Sequence, residues 1–184
     1  MYTNENHILI CGGRSSGKRQ LVDRLIAECR VPVYGYRSRV VKTRADGYHE
    51  IYMLPADGRE IPLTEENHIG DCDTRRRTVN PGAFDGPGVR LLDEAKPGGM
   101  IVMDEIGFME AEAKLFCEKV LSCLDGDIPV LATVKSKGPD LEFLRKVKSH
   151  PRAVLYDADK TPAEELYKEL SEIVRGWNER LSEC

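Results

Sequence analysis

Apolar positions along the chain fall into short buried runs separated by helical stripes. His7-Ile-Leu-Ile-Cys11 is a short apolar run closed by glycines, which predicts a buried strand. From Lys18 to Arg30 the residues Leu21, Val22, Leu25, Ile26 and Cys29 recur at helical spacing. Between residues 33 and 54 the pattern changes to β-branched and aromatic residues, among them Val33, Tyr34, Tyr36, Val40, Tyr48, Ile51 and Tyr52. The turn dipeptides Asp46-Gly47 and Asp57-Gly58 predict a β-hairpin and a second turn, with a further strand over Thr74–Asn80. Phe84–Ala95 reads as a helix ended by Pro97-Gly98-Gly99, and Met100-Ile-Val-Met103 as a buried strand. A helix around Ala111–Leu124, a strand over Ile128–Val134, a short helix through Leu141, Leu144 and Val147, and a strand at Ala153–Tyr156 follow. The last helix starts at Thr161-Pro162-Ala-Glu164, a capping-box pattern, and carries the stripe Leu166, Leu170, Ile173, Trp177, Leu181. Alternating strands and helices predict an α/β fold, a mostly parallel sheet flanked by helices, with an antiparallel β insertion at about 33–80. A single domain over 1–184 is expected.

Composition narrows the function classes. The 184 residues carry a formal net charge of -4, which excludes a generic polyanion binder, and no clear nucleic-acid site is expected. The basic run Arg75-Arg76-Arg77 reads as a solvated strand end or loop. No apolar run approaches the ~20 residues that span a bilayer. The segment Met1–His7 lacks the basic start of a signal peptide, so a cytoplasmic location and no membrane partner are expected. Six cysteines without a C-x-x-C pair read as small buried hydrophobes kept reduced, and the four scattered histidines give no zinc pattern.

The chemistry concentrates in Gly12-Gly13-Arg14-Ser15-Ser16-Gly17-Lys18. A strand, this glycine-rich loop and a helix form the setting of a P-loop with Walker A spacing, G-x-x-x-x-G-K. Consecutive amides in such a turn make a concave anion site, and the helix directs its positive end at it. Lys18 adds a point charge for the terminal phosphates. The next position departs from the pattern. Walker A loops end in a Ser or Thr whose hydroxyl ligates Mg²⁺, whereas this chain has Arg19, which has no lone pair for a metal. Ser15, Ser16 and Gln20 are the oxygen-bearing neighbours.

Met100-Ile-Val-Met-Asp104-Glu105 is four apolar residues followed by two carboxylates, a Walker B pattern. Asp104 is expected to hold Mg²⁺ and Glu105 to act as general base toward water. Thr133, at the end of the next apolar run, can sense the terminal phosphate, and Lys135 and Lys137 follow it near the ligand-binding edge of the sheet.

These motifs, in this order, resemble the family of small P-loop nucleoside triphosphatases found in thermophilic archaea and bacteria, with a human cancer-related member. The similarity runs from the P-loop to the C-terminal helix. It rests on Gly12–Leu21, on Tyr34-Gly-Tyr-Arg-Ser-Arg-Val40, on the Asp57-Gly58 turn with Pro62-Leu63, on Asp104-Glu-Ile-Gly-Phe-Met-Glu110 and on Val130-Leu-Ala-Thr-Val134. The resemblance implies Mg²⁺-assisted, slow hydrolysis of ATP, GTP and related triphosphates. It implies that Lys18 binds phosphate, Asp104 belongs to the metal shell and Glu105 activates water. Arg19 and Phe108 stand where the family has a metal-ligating Thr and a Lys, and Arg37, Arg39 or Arg75–Arg77 can supply replacement charge. Gly12 to Gln20 and Thr133 are the expected nucleotide contacts. Two other readings stand beside the hydrolase: a non-hydrolysing nucleotide-binding module, and a small P-loop kinase. Glu105 favours hydrolysis. The sequence carries no signal for base preference or oligomeric state.

Overall fold

The structure is a computed structural model that describes residues 7–73 and 75–181. The expectations placed on Met1–Asn6, Thr74 and Cys184 lie outside the described residues. Seven strands form one sheet: β1 (His7–Gly12), β2 (Val33–Thr43), β3 (His49–Pro55), β4 (His68–Cys72), β5 (Met100–Ile106), β6 (Val130–Lys135) and β7 (Ala153–Asp157). Their order is β4-β3-β2-β5-β6-β1-β7. From β2 through β7 every pairing is parallel, while β2–β3 and β3–β4 are antiparallel. The helices are α1 (Lys18–Ala27), α2 (Pro81–Ala83), α3 (Val89–Asp93), α4 (Lys114–Asp125), α5 (Glu142–Lys148) and α6 (Ala163–Leu181), with a π-helical stretch at Phe84–Gly88.

Each face of the sheet carries its own core. On one face α1 and α6 cover Ile8, Ile10, Met100, Val102 and Leu131, with Leu25, Leu170 and the fully buried Trp177 between them. On the other, α3 and α4 cover Leu9, Tyr36, Ile101, Met103 and Ala132. There Phe116 meets Tyr36 edge-on at 5.2 Å and Phe84 at 5.3 Å. α6 also braces α1 through polar contacts. Arg24 pairs with Glu164 at 2.5 Å and lies 3.7 Å over the Tyr167 ring, while Asn178 bonds the backbone at Glu28 and Arg30. Glu164 therefore serves an inter-helix ion pair and not the expected capping box.

Three local expectations shift. The antiparallel addition starts later than its composition suggests, because Val33–Arg37 pair parallel with Met100–Asp104 before β2 turns into the hairpin with β3. The expected strand at Thr74–Asn80 is not one. The strand is β4, in which Ile69 alone has high β propensity, and residues 75–80 run beside it through Thr78 N to Asp71 O and Asn80 N to Ile69 O. Gly70 is required at that approach, since a Cβ there would lie 2.1 Å from the Thr78 carbonyl oxygen. In the expected helix over Phe84–Ala95, Pro87 lacks the N–H that continues an α ladder, and Val89 N reaches back to Phe84 O in the wider π register. Among the described residues no helix is long and apolar enough to cross a membrane.

Candidate functional site

The P-loop forms at the C-terminal end of β1, where parallel α/β sheets place their ligands. Gly17, at φ 75°, turns the chain in the left-handed region and caps α1, whose first bond runs from Leu21 N to Gly17 O. Gly12 is tight for another reason: a Cβ there would sit 2.6 Å from Ser16 Oγ. The Gly13 carbonyl accepts from Ser16 N, Ser16 Oγ and Lys18 Nζ, so the loop closes on itself. Its first amide, Gly13 N, donates to both carboxylate oxygens of Asp159, just past β7. Arg14, Ser15, Arg19 and Gln20 are exposed around the loop, and Arg14, Ser15, Gly17 and Gln20 border an open cleft of about 330 Å³ between α1 and the start of α6.

Lys18 is buried. Its ammonium donates to Gly12 O and Gly13 O and pairs with Glu105 Oε2 at 3.1 Å. Glu105 Oε1 takes Lys135 at 2.7 Å, so this carboxylate lies between two lysines. β6 separates β5 from β1 and supplies Thr133, whose hydroxyl donates to Asp104 Oδ1 at 2.6 Å. Both acids reach this side of the sheet because β5 bulges. Its pairing with β6 steps from Met103↔Ala132 to Ile106↔Val134, one extra residue on β5. The structure thus brings together Lys18, Asp104, Glu105, Thr133 and Lys135. Lys137 does not join them and lines an adjoining depression with Lys135, Arg145 and Lys148.

Asp104 has two further partners. Arg37 is its register neighbour on β2 and Arg39 follows at the two-residue strand period, so both face the same carboxylate. Arg39 Nη2 donates to Asp104 Oδ2 at 2.6 Å and Arg37 Nη2 to the same oxygen at 3.4 Å. Arg37 also bonds Asp23 on α1. Burial alone would raise the Asp104 pKa, but Arg39, the Thr133 hydrogen bond and Arg37 together hold it below the ordinary value. Burial likewise draws Arg39 down, partly offset by Asp104.

Glu110 sits behind this site, almost wholly buried. Its Oε1 accepts from Gly107 N and its Oε2 has no partner. Burial raises its pKa to about 7, against the bonds from its own backbone and Gly107, with Glu105 adding to the rise. Phe108, where the resembling family carries Lys, holds Arg77 over its ring at 4.2 Å, with Lys135 Nζ 5.8 Å from the same ring. Of the proposed replacement charges, Arg37 and Arg39 therefore meet Asp104, and Arg77 meets Phe108. Sequence reasoning missed Asp159 and Glu110. The signal for Asp159 was an acid just beyond a strand end, which is common; for Glu110 it was only a place in the family-like segment.

Comparison with known proteins adds the lineage. A family model described as NTPase matches residues 7–171. Nucleoside-triphosphatase THEP1 of Thermotoga petrophila is 30% identical over 171 residues, covering 91% of this chain and 92% of that protein. THEP1 of Thermotoga sp. strain RQ2 is 26% identical over 170 residues, with 91% and 95% covered. Among solved structures, the crystal structure of THEP1 from Aquifex aeolicus superposes with a TM-score of 0.69 at 20% identity, over 91% of this chain and 98% of that one. The solution structure of a human cancer-related nucleoside triphosphatase gives 0.66 at 20% identity, over 93% and 98%. These two establish a shared fold.

Proposed function

The chain belongs to the NTPase family, and we propose that it binds a nucleoside triphosphate of the ATP or GTP type and hydrolyses it to the diphosphate and phosphate. The observation that carries this reading is Glu105, a carboxylate paired at once with the P-loop lysine and with Lys135. The loop amides after Gly13, the first turn of α1 and Lys18 receive the phosphates, while Gly13 N stays with Asp159. When a phosphate oxygen takes over Lys18, Glu105 loses that partner and keeps Lys135. Its freed oxygen then accepts a hydrogen bond from water. The water oxygen attacks the γ-phosphorus, its proton passes to Glu105, and the bond to the β–γ bridging oxygen breaks. Lys18 and the loop amides stabilise the negative charge that builds on the transferred group and the leaving diphosphate. Thr133 fixes Asp104 and thereby the end of β5 that presents Glu105.

The expected magnesium ion on Asp104 meets a donor set that does not fit it. Magnesium demands near-octahedral oxygen ligands, commonly one or two carboxylates, a P-loop hydroxyl and phosphate oxygens. Here the hydroxyl position is Arg19. Both oxygens of Asp104 are engaged, one by Thr133 and one by two guanidiniums. The steps above accordingly use no metal. The same clamp supports a second reading, a nucleotide-binding module without turnover. A cytoplasmic location fits the five free cysteines among the described residues.

Phosphate release from ATP and GTP, measured with magnesium and with EDTA, tests the proposal. Glu105→Gln should lower turnover by about 10²–10⁴-fold, the usual contribution of a general base, while nucleotide still binds. Turnover by Glu105→Gln equal to wild type would remove Glu105 from the mechanism. Binding with no phosphate release above a Lys18→Ala control would establish the module reading.

A further inference from the structure

We propose that Arg39, braced by Arg37, is the built-in counter-cation of this phosphate site, and that the chain takes its nucleoside triphosphate free of a divalent metal. The inference rests on the nucleotide reading above and specifies the form of the ligand. Three observations support it. First, the carboxylate positioned to hold a metal is already neutralised within the protein: Asp104 Oδ2 receives Arg39 at 2.6 Å and Arg37 at 3.4 Å, and Oδ1 receives Thr133. Second, these guanidiniums are held in place. Arg39 Nη1 donates to Ser38 O at 3.0 Å, and Arg37 reaches across to Asp23 on α1. Arg37 thus spans from the end of β5 to the helix that follows the P-loop, and Arg39 is close enough to Arg19 for their charges to repel. Third, the residue after Lys18 brings a cation where a metal ligand is needed.

The charge balance points the same way. Lys18, Arg19, Arg37, Arg39 and Lys135 still outnumber Asp23, Asp104, Glu105 and Asp159, the last of which holds the Gly13 amide, so the cluster carries a small positive excess before any ligand arrives. A dication would add to that excess. A metal-free triphosphate, with its full negative charge, would neutralise it. A guanidinium fork is suited to this work, since it can bond two oxygens at once and stays protonated.

The test is equilibrium binding of a fluorescent, non-hydrolysable ATP analogue to the full chain in excess EDTA and in saturating magnesium. Wild type should bind in both, with affinities within about threefold, less than the tenfold that 1.4 kcal/mol represents. Arg39→Ala should bind at least about tenfold more weakly in EDTA, the loss expected for one charge-assisted hydrogen bond, and magnesium should not restore it, because Arg37 and Thr133 still engage Asp104 and Arg19 still replaces the metal-ligating hydroxyl. Arg39→Lys, which keeps the charge without the fork, should fall between. Binding by wild type that weakens at least about tenfold in EDTA and returns with magnesium overturns the inference and leaves the nucleotide reading standing. That comparison needs no variant to fold. Absence of binding in both buffers overturns both.

Discussion

β1 begins at one buried polar side chain and runs into a loop that ends at another, and the two are held in opposite ways. At the start His7 is sealed: its Nε2 faces Leu124 O at 2.8 Å and its Nδ1 accepts from Val130 N at 3.1 Å, which fixes a neutral ring between three elements. After the loop, Lys18 is charged, and its strongest partner is the side chain of Glu105, which also has Lys135. A buried group with fixed backbone partners contributes stability. A buried charge whose partner is a side chain with a second cation can change partners, and this is the property a phosphate site needs.

The largest effects should separate these two positions cleanly. Lys18→Ala should abolish measurable nucleotide affinity, a loss above about 100-fold, with little change in the denaturation midpoint, because it removes the charge-assisted contacts to phosphate. His7→Ala should do the reverse. It leaves a buried N–H and a buried carbonyl unpaired and should lose about 3 kcal/mol in chemical denaturation while the folded fraction binds nucleotide normally. If the two variants lose stability equally, the contrast between the ends of β1 is wrong.

A comparable effect lies in pH, where His7 is set against Glu110. Burial lowers the His7 pKa from 6.5 to about 4, with the Leu124 hydrogen bond opposing, so its stabilisation is present above pH 6.5 and is lost as pH falls toward 4. Burial raises Glu110 from 4.5 to about 7, so its stabilisation is present below pH 4.5 and is lost as pH rises toward 7. Each shift corresponds to roughly 3 kcal/mol and the slopes are opposite, so the two largely cancel in the wild type. His7→Gln should expose a fall in stability as pH rises from 4.5 to 7, and Glu110→Gln a rise as pH rises from 4 to 6.5, by denaturation at stepped pH. Parallel curves for the two variants would refute the assignment.

The smallest effect belongs to the exposed rim. Arg77→Ala and Phe108→Ala should each lower turnover by about two- to fivefold, in line with an exposed cation–π contact of 0.5–1 kcal/mol, and the double variant should be no worse than either. Additive losses would mean that Phe108 does not present Arg77.

Much of this site was legible because its signals are local. Gly12–Lys18 and Asp104-Glu105 are read from spacing within a few residues, and the strands that carry them are continuous apolar runs. The clamp on Asp104 was not legible, although Arg37 and Arg39 stood out as charges. Their partner is decided by the register of β2 against β5, a pairing 67 residues apart in the chain for Arg37 and Asp104. The position of Arg77 was hidden for the same reason. β4 escaped because its five residues carry no alternating apolar pattern, with Ile69 the one strong β former and Gly70 needed where the backbone of residue 78 comes close.

The carboxylate of Asp159 on Gly13 N has a mechanical consequence. β7 is an outer strand of the sheet, and through this bond its end is linked directly to the first amide of the phosphate loop. The loop thus takes its curvature from the protein's own frame, and an arriving phosphate has less chain to immobilise, which favours tight capture. The link also couples the loop to that flank of the sheet: a displacement of β7 reaches the phosphate-binding turn both through its ladder with β1 and directly at Gly13.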